Sequence, residues 1–510
     1  MKSSTYKYSN LRTLLVGCLT IAGLVFTGCS KQLDIKPESF ISPEELYKDE
    51  AGVKSGLVGI YRQLLDLKRS DYVIVGMVGT DEGKTTLFVP TWGTYWQNFC
   101  AVNTYSTLMT AQNDVIQNFW AVCYKGIGNA NVAIRYIQQA PVSEEVKNKA
   151  IGEAKFMRSL FYFYLVQLYG GVPLPTEAEN PEADAKGGYP RSNEDEVYNL
   201  IISDLQFAMS NLDSKAGAGQ NSGKATKEAA RALLGKVYLT RKDYNNAKAT
   251  LEPLLSAPNV SLMSDYADLF VEANENNIES LFEIQFSNED GNTSNLAQNL
   301  GCWQINDPRL PGAGGHVIIP TDYYFNSFED GDKRKDVSFR TLFLDKDGNP
   351  VDYSWWSDVG KPHMKKFDIT KDVSVSASYS SRNLYYLRLA DVILMYAEAQ
   401  NETGETPGAL QQLNKIRSRA GLESYETVHG GVPSQDQLRK ELMLERMREL
   451  GFEGWRWFDL KRTGTLLTEV KAHNPDAAPN MQEKHLLYPI PAREFENNAA
   501  LQPSDQNAGY

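Results

Sequence analysis

ARALLGKVYLTRKDYNNAKATLEPLL, residues 230–255, reads as two short helices folded back on one another. Leu234, Gly235 and Tyr238 lie on the first and Ala247 and Leu251 on the second. The polar run RKDYNN breaks the apolar period between them. A glycine in the first helix and an alanine in the second leave room for the backbones to approach closely.

That spacing recurs. Ala121, Tyr124, Ala133 and Ile137 reproduce it in WAVCYKGIGNANVAIRYIQQ, and Ala397, Ala409 and Leu413 reproduce it around NETGETPGALQQLNKIR. In each case twelve residues separate the small residue of the first helix from the alanine of the second. A larger apolar residue follows four positions later. Three matches in register predict a tetratricopeptide-like helical superhelix, hence a mainly α protein.

Other segments suit the same superhelix. EEVKNKAIGEAKFMRSLFYFYLVQLYGG places Ile151, Ala154, Met157, Phe161, Leu165 and Leu168 on one stripe, and Gly170, Gly171 and Pro173 stop it. NEDEVYNLIISDLQFAMSNL opens on a polar cap and continues with Val197, Ile201, Leu205 and Met209 on one face. From Ser280 to Ala377 the composition turns to Gly, Asn, Asp, Pro, Trp and Tyr, with short runs such as SLFEIQFS and FRTLFL. This interval predicts loops and small β-hairpins inserted between helical pairs. DKDGNP, 345–350, is read as a type I′ turn joining FRTLFL to VDYSWW. As a calcium loop it would place Trp356 where a glutamate ligand belongs.

The N-terminus predicts export. Lys2, Lys7 and Arg12 precede an apolar stretch from Leu14 to Phe26, too short to span a bilayer, and FTGC ends at Cys29. Cys18, in LVGC, leaves too short an apolar stretch after Arg12. Cleavage before Cys29 removes three basic residues and takes the net charge from −12 to −15. Such a balance argues against nucleic acid and against a polybasic membrane patch. The expected organisation is a signal peptide over 1–28 and a lipidated tether over 29–45. A helical region follows over 46–279, a loop-rich insertion over 280–380 and a second helical region over 381–510, with 29–510 forming one compact domain. Beyond Cys29 there remain Cys100, Cys123 and Cys302, an odd number, read as buried thiols. No CxxC or HExxH occurs, so no metal site or cofactor is expected, and bound calcium is left open.

Catalytic signatures are missing too. There is no GxSxG elbow, Walker A loop or dinucleotide fingerprint. Asp81 and Glu82, or Asp358, would serve a glycosidase only at a defined carboxylate separation, which sequence does not give. Binding chemistry is better represented. Sugars offer C–H faces to aromatic rings and hydroxyls to polar side chains, so a glycan site needs both kinds together. PTWGTYWQNFCAVN supplies Trp92, Tyr95, Trp96, Gln97, Asn98 and Asn103, just after Asp81 and Glu82. GCWQINDPR adds Trp303, Gln304 and Asn306, and DYSWWSD adds Tyr353, Trp355 and Trp356.

Several motifs occur in one order along the chain: FTGC, MRSLFYFYLVQLYGGVPLP, LYYLRLADVILMYAEAQN, AL..LN.IR.RAGL at 409–422, ERMRELGFEGWRWFDLKR, LLYPIP at 486–491 and the terminal QNAGY. In this set and order the chain resembles the SusD/RagB family of Bacteroidetes. It departs from the family pattern at Tyr488 and Ala508, both in the closing segment. The resemblance implies an acylated Cys29, an outer-membrane location, no enzymatic activity, and a partner SusC-like TonB-dependent transporter. It also implies a glycan or, alternatively, a peptide ligand held by aromatic platforms, one before the first repeat in the Trp92–Asn103 stretch and one in the insertion. A surface glycosidase or a scaffold for proteins alone are the competing readings. The charged residues of the family motifs, Arg388, Asp391, Glu398, Glu445, Arg446, Arg448 and Glu449, fall in apolar helices. They are expected to pair internally and not to meet ligand, with Trp455 and Trp457 in the core.

Overall fold

The stripe predicted for residues 144–169 is the axis of the fold. From Ala150 to Tyr169 every residue except Lys155 is buried, so the helix is surrounded on all sides. Ser143 caps it by accepting from the Val146 N–H, and Gly170, at φ 76°, ends it. Fully burying Phe161, Leu165 or Leu168 contributes about 1.5–3 kcal/mol each.

The computed structural model describes residues 41–69, 75–86, 89–176, 187–217, 223–287, 292–294, 296–300, 317–342, 347, 349–350, 362–367 and 380–510. The signal peptide, Cys29 and most of the tether lie outside these residues, as do Cys302, Trp303, Tyr353, Trp355 and Trp356. Half of the DKDGNP turn and all of its VDYSWW partner fall there too. Two units are distinguished, residues 1–46 and 47–510. The first contributes one described helix, α1 (Pro43–Leu46).

The second unit begins with α2 (Glu50–Arg69), β1 (Gly83–Thr85), α3 (Thr94–Thr104), α4 (Asp114–Gln139), α5 (Glu144–Tyr169) and α6 (Glu194–Asn211). α5 packs against α2, α4 and α6. α6 carries a full capping box, Asn193 with Glu196. Next come α7 (Lys227–Thr240) and α8 (Tyr244–Leu251), the hairpin anticipated from 230–255. A methyl group at Gly235 would lie 2.2 Å from Leu251 Cδ2, so glycine is what allows this approach.

The C-terminal pair, α12 (Leu389–Glu402) and α13 (Thr406–Arg419), is the second hairpin read correctly. The third match is corrected: Ala121, Tyr124, Ala133 and Ile137 all belong to the 26-residue α4. Nothing stops that helix in the middle. Gly126 does not break it because it sits against Phe161, whose Cε2 would be 2.3 Å from an added Cβ. A spacing of twelve also fits two faces of one helix when no turn residue intervenes.

One run of the insertion, SLFEIQFS, is corrected as well. β2 (Ser280–Ile284) does not form a local hairpin but pairs antiparallel with β6 (Leu384–Arg388), about a hundred residues later. Between them lie α9 (Leu296–Leu300), β3 (Ile318–Pro320), α10 (Asp322–Asn326), α11 (Lys333–Ser338), β4 (Phe339–Arg340) and β5 (His363–Met364). β3 pairs with β1 and β4 with β5. The β1–β3 and β2–β6 ladders therefore stitch the insertion to the helical body, while β4–β5 lies within it. The chain closes with α14 (Tyr425–His429), α15 (Gln435–Leu450), α16 (Arg456–Thr463), α17 (Leu466–His473) and α18 (Ala492–Asn497).

The charged motif residues pair inside, as expected. Glu449 receives Arg334 at 3.1 Å, Arg388 at 2.5 Å and Arg419. Arg388 also binds Glu279 at 2.9 Å and Glu453 at 2.9 Å. It occupies the N-cap position of α12 at the end of β6, without a capping hydrogen bond from its side chain, and does not lie within a helix. Asp391 is flanked by Lys236 at 2.7 Å and Arg446 at 3.0 Å, and Glu398 pairs with Arg462. Glu445 pairs with Arg334 at 2.8 Å, and Arg448 with Glu441 at 2.8 Å. Removing one member of such a set strands its partner, at a cost of about 3–5 kcal/mol. Trp455 and Trp457 are buried, and the Lys236 Nζ lies 3.4 Å from the Trp455 ring centre.

Candidate functional site: an aromatic cluster on α3

A 3₁₀ turn, Val89–Trp92, feeds α3 through Gly93, whose φ of 125° is a conformation L side chains rarely adopt. The helix has two faces. Phe99, Cys100, Ala101, Val102 and Asn103 are buried, whereas Tyr95 and Gln97 are exposed and Trp96 and Asn98 half-buried. Trp92, just before the helix, and Tyr95 are about two-fifths exposed, at 38% and 40%. Both meet Trp96 edge to face, at centroid distances of 5.2 Å and 5.4 Å with interplanar angles of 89° and 81°. Trp96 in turn packs on the buried Phe99 at 5.4 Å. Three of the predicted aromatic residues are thus one cluster, rooted in the core and open at the surface.

The support beneath it is stiff. Tyr105, the left-handed residue that ends α3, donates from its hydroxyl to the Gly79 carbonyl at 2.6 Å and accepts from Trp457 Nε1 at 3.2 Å. Asn113 caps α4 and donates to the Asn98 carbonyl at 2.8 Å. Asn98 itself lies at the rim, with its amide 3.5 Å from Asp114. Asn113 was overlooked in the sequence, although an asparagine directly before the apolar run DVIQNFW is an N-cap signal.

Asp81 must be removed from the candidate ligand residues. It is fully buried, and Arg456 binds both its oxygens, Nε at 2.7 Å and Nη2 at 2.5 Å. Glu82 is buried beside it and accepts the Phe452 N–H at 2.7 Å. Burial pushes its carboxyl up to about 8, against the opposing effects of that hydrogen bond and of Arg456. Neither carboxylate can flank a bond in a bound sugar, which withdraws this pair as a catalytic acid and base. Asn103 is also internal, accepting the Gly79 N–H at 3.0 Å. The stretch GTDEGK, residues 79–84, is the entry to a buried strand. Cys100 and Cys123 are buried, as read from the sequence.

The helical-repeat body thus carries a rooted aromatic cluster on one face. Two family models match the chain in separate parts: the SusD family over residues 344–510, and a family described as starch-binding and associating with the outer membrane over residues 80–239. A SusD-like protein of Formosa agariphila is 28% identical over 96% of this chain and 98% of its own. A SusD homologue from Bacteroides thetaiotaomicron superposes with a TM-score of 0.77 at 24% identity, covering 92% and 98% of the two chains. A laminarin-binding SusD-like protein superposes at 0.76 with 25% identity, covering 91% of this chain and all of its own. The chain thus matches the SusD family over its C-terminal third and is similar to SusD-like proteins over nearly its whole length.

Proposed function

We propose that this protein is a cell-surface lipoprotein of the outer membrane, anchored through Cys29. In this reading it binds glycan oligomers without cleaving them and delivers them to a SusC-like TonB-dependent transporter. The observation that carries glycan binding is the Trp92–Tyr95–Trp96 cluster, whose exposed rings suit the C–H faces of sugars while Gln97 and Asn98 stand beside them for hydroxyls. The laminarin-binding relative and the starch-binding family model support the same class of ligand. Trp303, Tyr353, Trp355 and Trp356 are proposed as further contacts. Attachment rests on the lipobox-like FTGC, and no helix among the described residues is long and apolar enough to cross a membrane. Energy for uptake would come from the transporter.

The test is affinity gel electrophoresis of the chain from Ser30 onward against a panel of polysaccharides, with reducing-sugar release assayed in the same samples. Retardation by a glycan without release supports the proposal. Release would put a glycosidase in its place, and neither effect would bring peptide capture forward.

A further inference from the structure

A second, chemically different hollow runs beside α2. It is a half-open cavity of about 360 Å³, within the range of small-molecule pockets. Its floor is apolar, formed by Leu57 and Tyr61 of α2 with Phe282, Ile284 and Phe286 of β2 and the residues after it. Val58 stands at the edge and is 60% exposed. An adjoining hollow of about 420 Å³ shares Lys54, Leu57, Glu153 and Lys224 with it, so the groove continues toward the start of α2. No residue of the α3 cluster lines either hollow.

The charges around this floor are unequal. Two carboxylates line it, and both are engaged from within. Glu153, 8% exposed, accepts the Tyr61 hydroxyl at 2.9 Å, and that hydroxyl in turn accepts the Ala225 N–H at 2.9 Å. Glu283 is held by the Asn383 amide at 3.0 Å and the Asn276 N–H at 2.8 Å. Burial raises the carboxyl of each toward its neutral form. The cations remain at the rim. Lys54 has no carboxylate partner among the described residues, Lys224 lies 3.8 Å from Glu153 with its side chain 46% exposed, and Arg62 is shared between Asp66 and Asn292.

Three cations, Lys54, Arg62 and Lys224, against two internally held carboxylates are a local exception on a chain of net charge −12. They select an anion, and the apolar floor selects a hydrocarbon body over a hydroxyl-rich one. We propose that the α2 groove binds an apolar carboxylate, with its body on Leu57, Tyr61, Phe282 and Phe286 and its anionic head among Lys54, Arg62 and Lys224. This site is independent of glycan capture. The carboxylate can sit on an aliphatic chain or on a flat aromatic body, and two probes separate these sources.

The experiment is isothermal titration of the chain from Ser30 with sodium decanoate, below its micelle concentration, and in parallel with sodium cinnamate. Saturable binding of one carboxylate per chain is expected. Decanoate alone would mark an aliphatic body and cinnamate alone an aromatic one. Val58→Glu, at an exposed helix position that leaves the core intact, places a charge at the mouth and weakens binding about tenfold. The double variant Lys54→Ala/Lys224→Ala weakens it comparably and flattens its salt dependence. Circular dichroism and retardation by glycan stay as in the parent for both variants. Absence of saturable binding of both probes, or parental affinity in Val58→Glu, would overturn the proposal.

Discussion

Arg456 on α16 grips Asp81 through two parallel hydrogen bonds, 2.7 Å and 2.5 Å long, between residues 375 positions apart in sequence. The pair is buried and ties the loop before β1 to the C-terminal helices, close to where Tyr105 and Asn103 fix α3. It is an internal clamp and no part of the exposed aromatic cluster.

Asp81→Ala therefore tests structure against binding. The variant leaves a guanidinium buried without its counter-charge and is expected to be less stable by about 3–5 kcal/mol. Urea denaturation followed by tryptophan fluorescence reads this. At temperatures where the variant remains folded, its glycan retardation should equal the parent's. A loss of retardation with intact stability would return Asp81 to the ligand site.

Glu82 sets a pH dependence of definite sign. Its carboxyl is raised from the ordinary 4.5 to about 8, first by burial, so the native state holds a proton that the unfolded chain releases. Between those values the native state binds more protons, and its stability falls as pH rises. Glu82→Gln keeps an oxygen for the Phe452 N–H and removes the titration. The urea midpoint of this variant should gain on the parent progressively from about pH 5 to about pH 8, a window set by the shift. A constant difference across that window would contradict the assignment.

The close approach of α7 and α8 predicts a strain that its partner can relieve. Gly235→Ala drives a methyl into Leu251 and is expected to cost about 1–3 kcal/mol, although alanine is the better helix former. Leu251→Ala opens a cavity and costs about 2–5 kcal/mol alone. Combined, the two should cost less than their sum, because the added methyl fills part of the space vacated. Strict additivity in a double-mutant cycle would show that the two side chains do not compete.

Much of the helical body is legible in sequence because burial and periodicity agree there. The stripe of α5, the Asn193 cap of α6 and the hairpins at 230–255 and 397–413 each follow from local rules. The error at 121–137 has a local cause, since a spacing of twelve carries meaning only with a turn inside it, and GIGNAN forms none. Strand pairing is illegible for the opposite reason: Phe282 and Leu387 become neighbours only once the intervening insertion is folded. Asp81 was misread because buried ion pairs and polar loops share a vocabulary, and its partner lies far along the chain. The α3 cluster could be found because Trp92, Tyr95 and Trp96 concentrate aromatic surface in a polar stretch. The α2 groove could not, since Leu57, Tyr61 and Phe282 read as ordinary core residues.

The most direct measurement compares the parent with Trp92→Ala, Trp96→Ala and the pair of changes together by calorimetric titration of the polysaccharide that retards the parent in gels. Trp92 is well exposed and Trp96 lies at the surface of α3, so folding should be retained. The account predicts affinity at least about tenfold weaker in each single variant and no measurable binding in the double, with unchanged circular dichroism. Parental affinity in the double variant would contradict the claim that this cluster is where the protein holds its glycan.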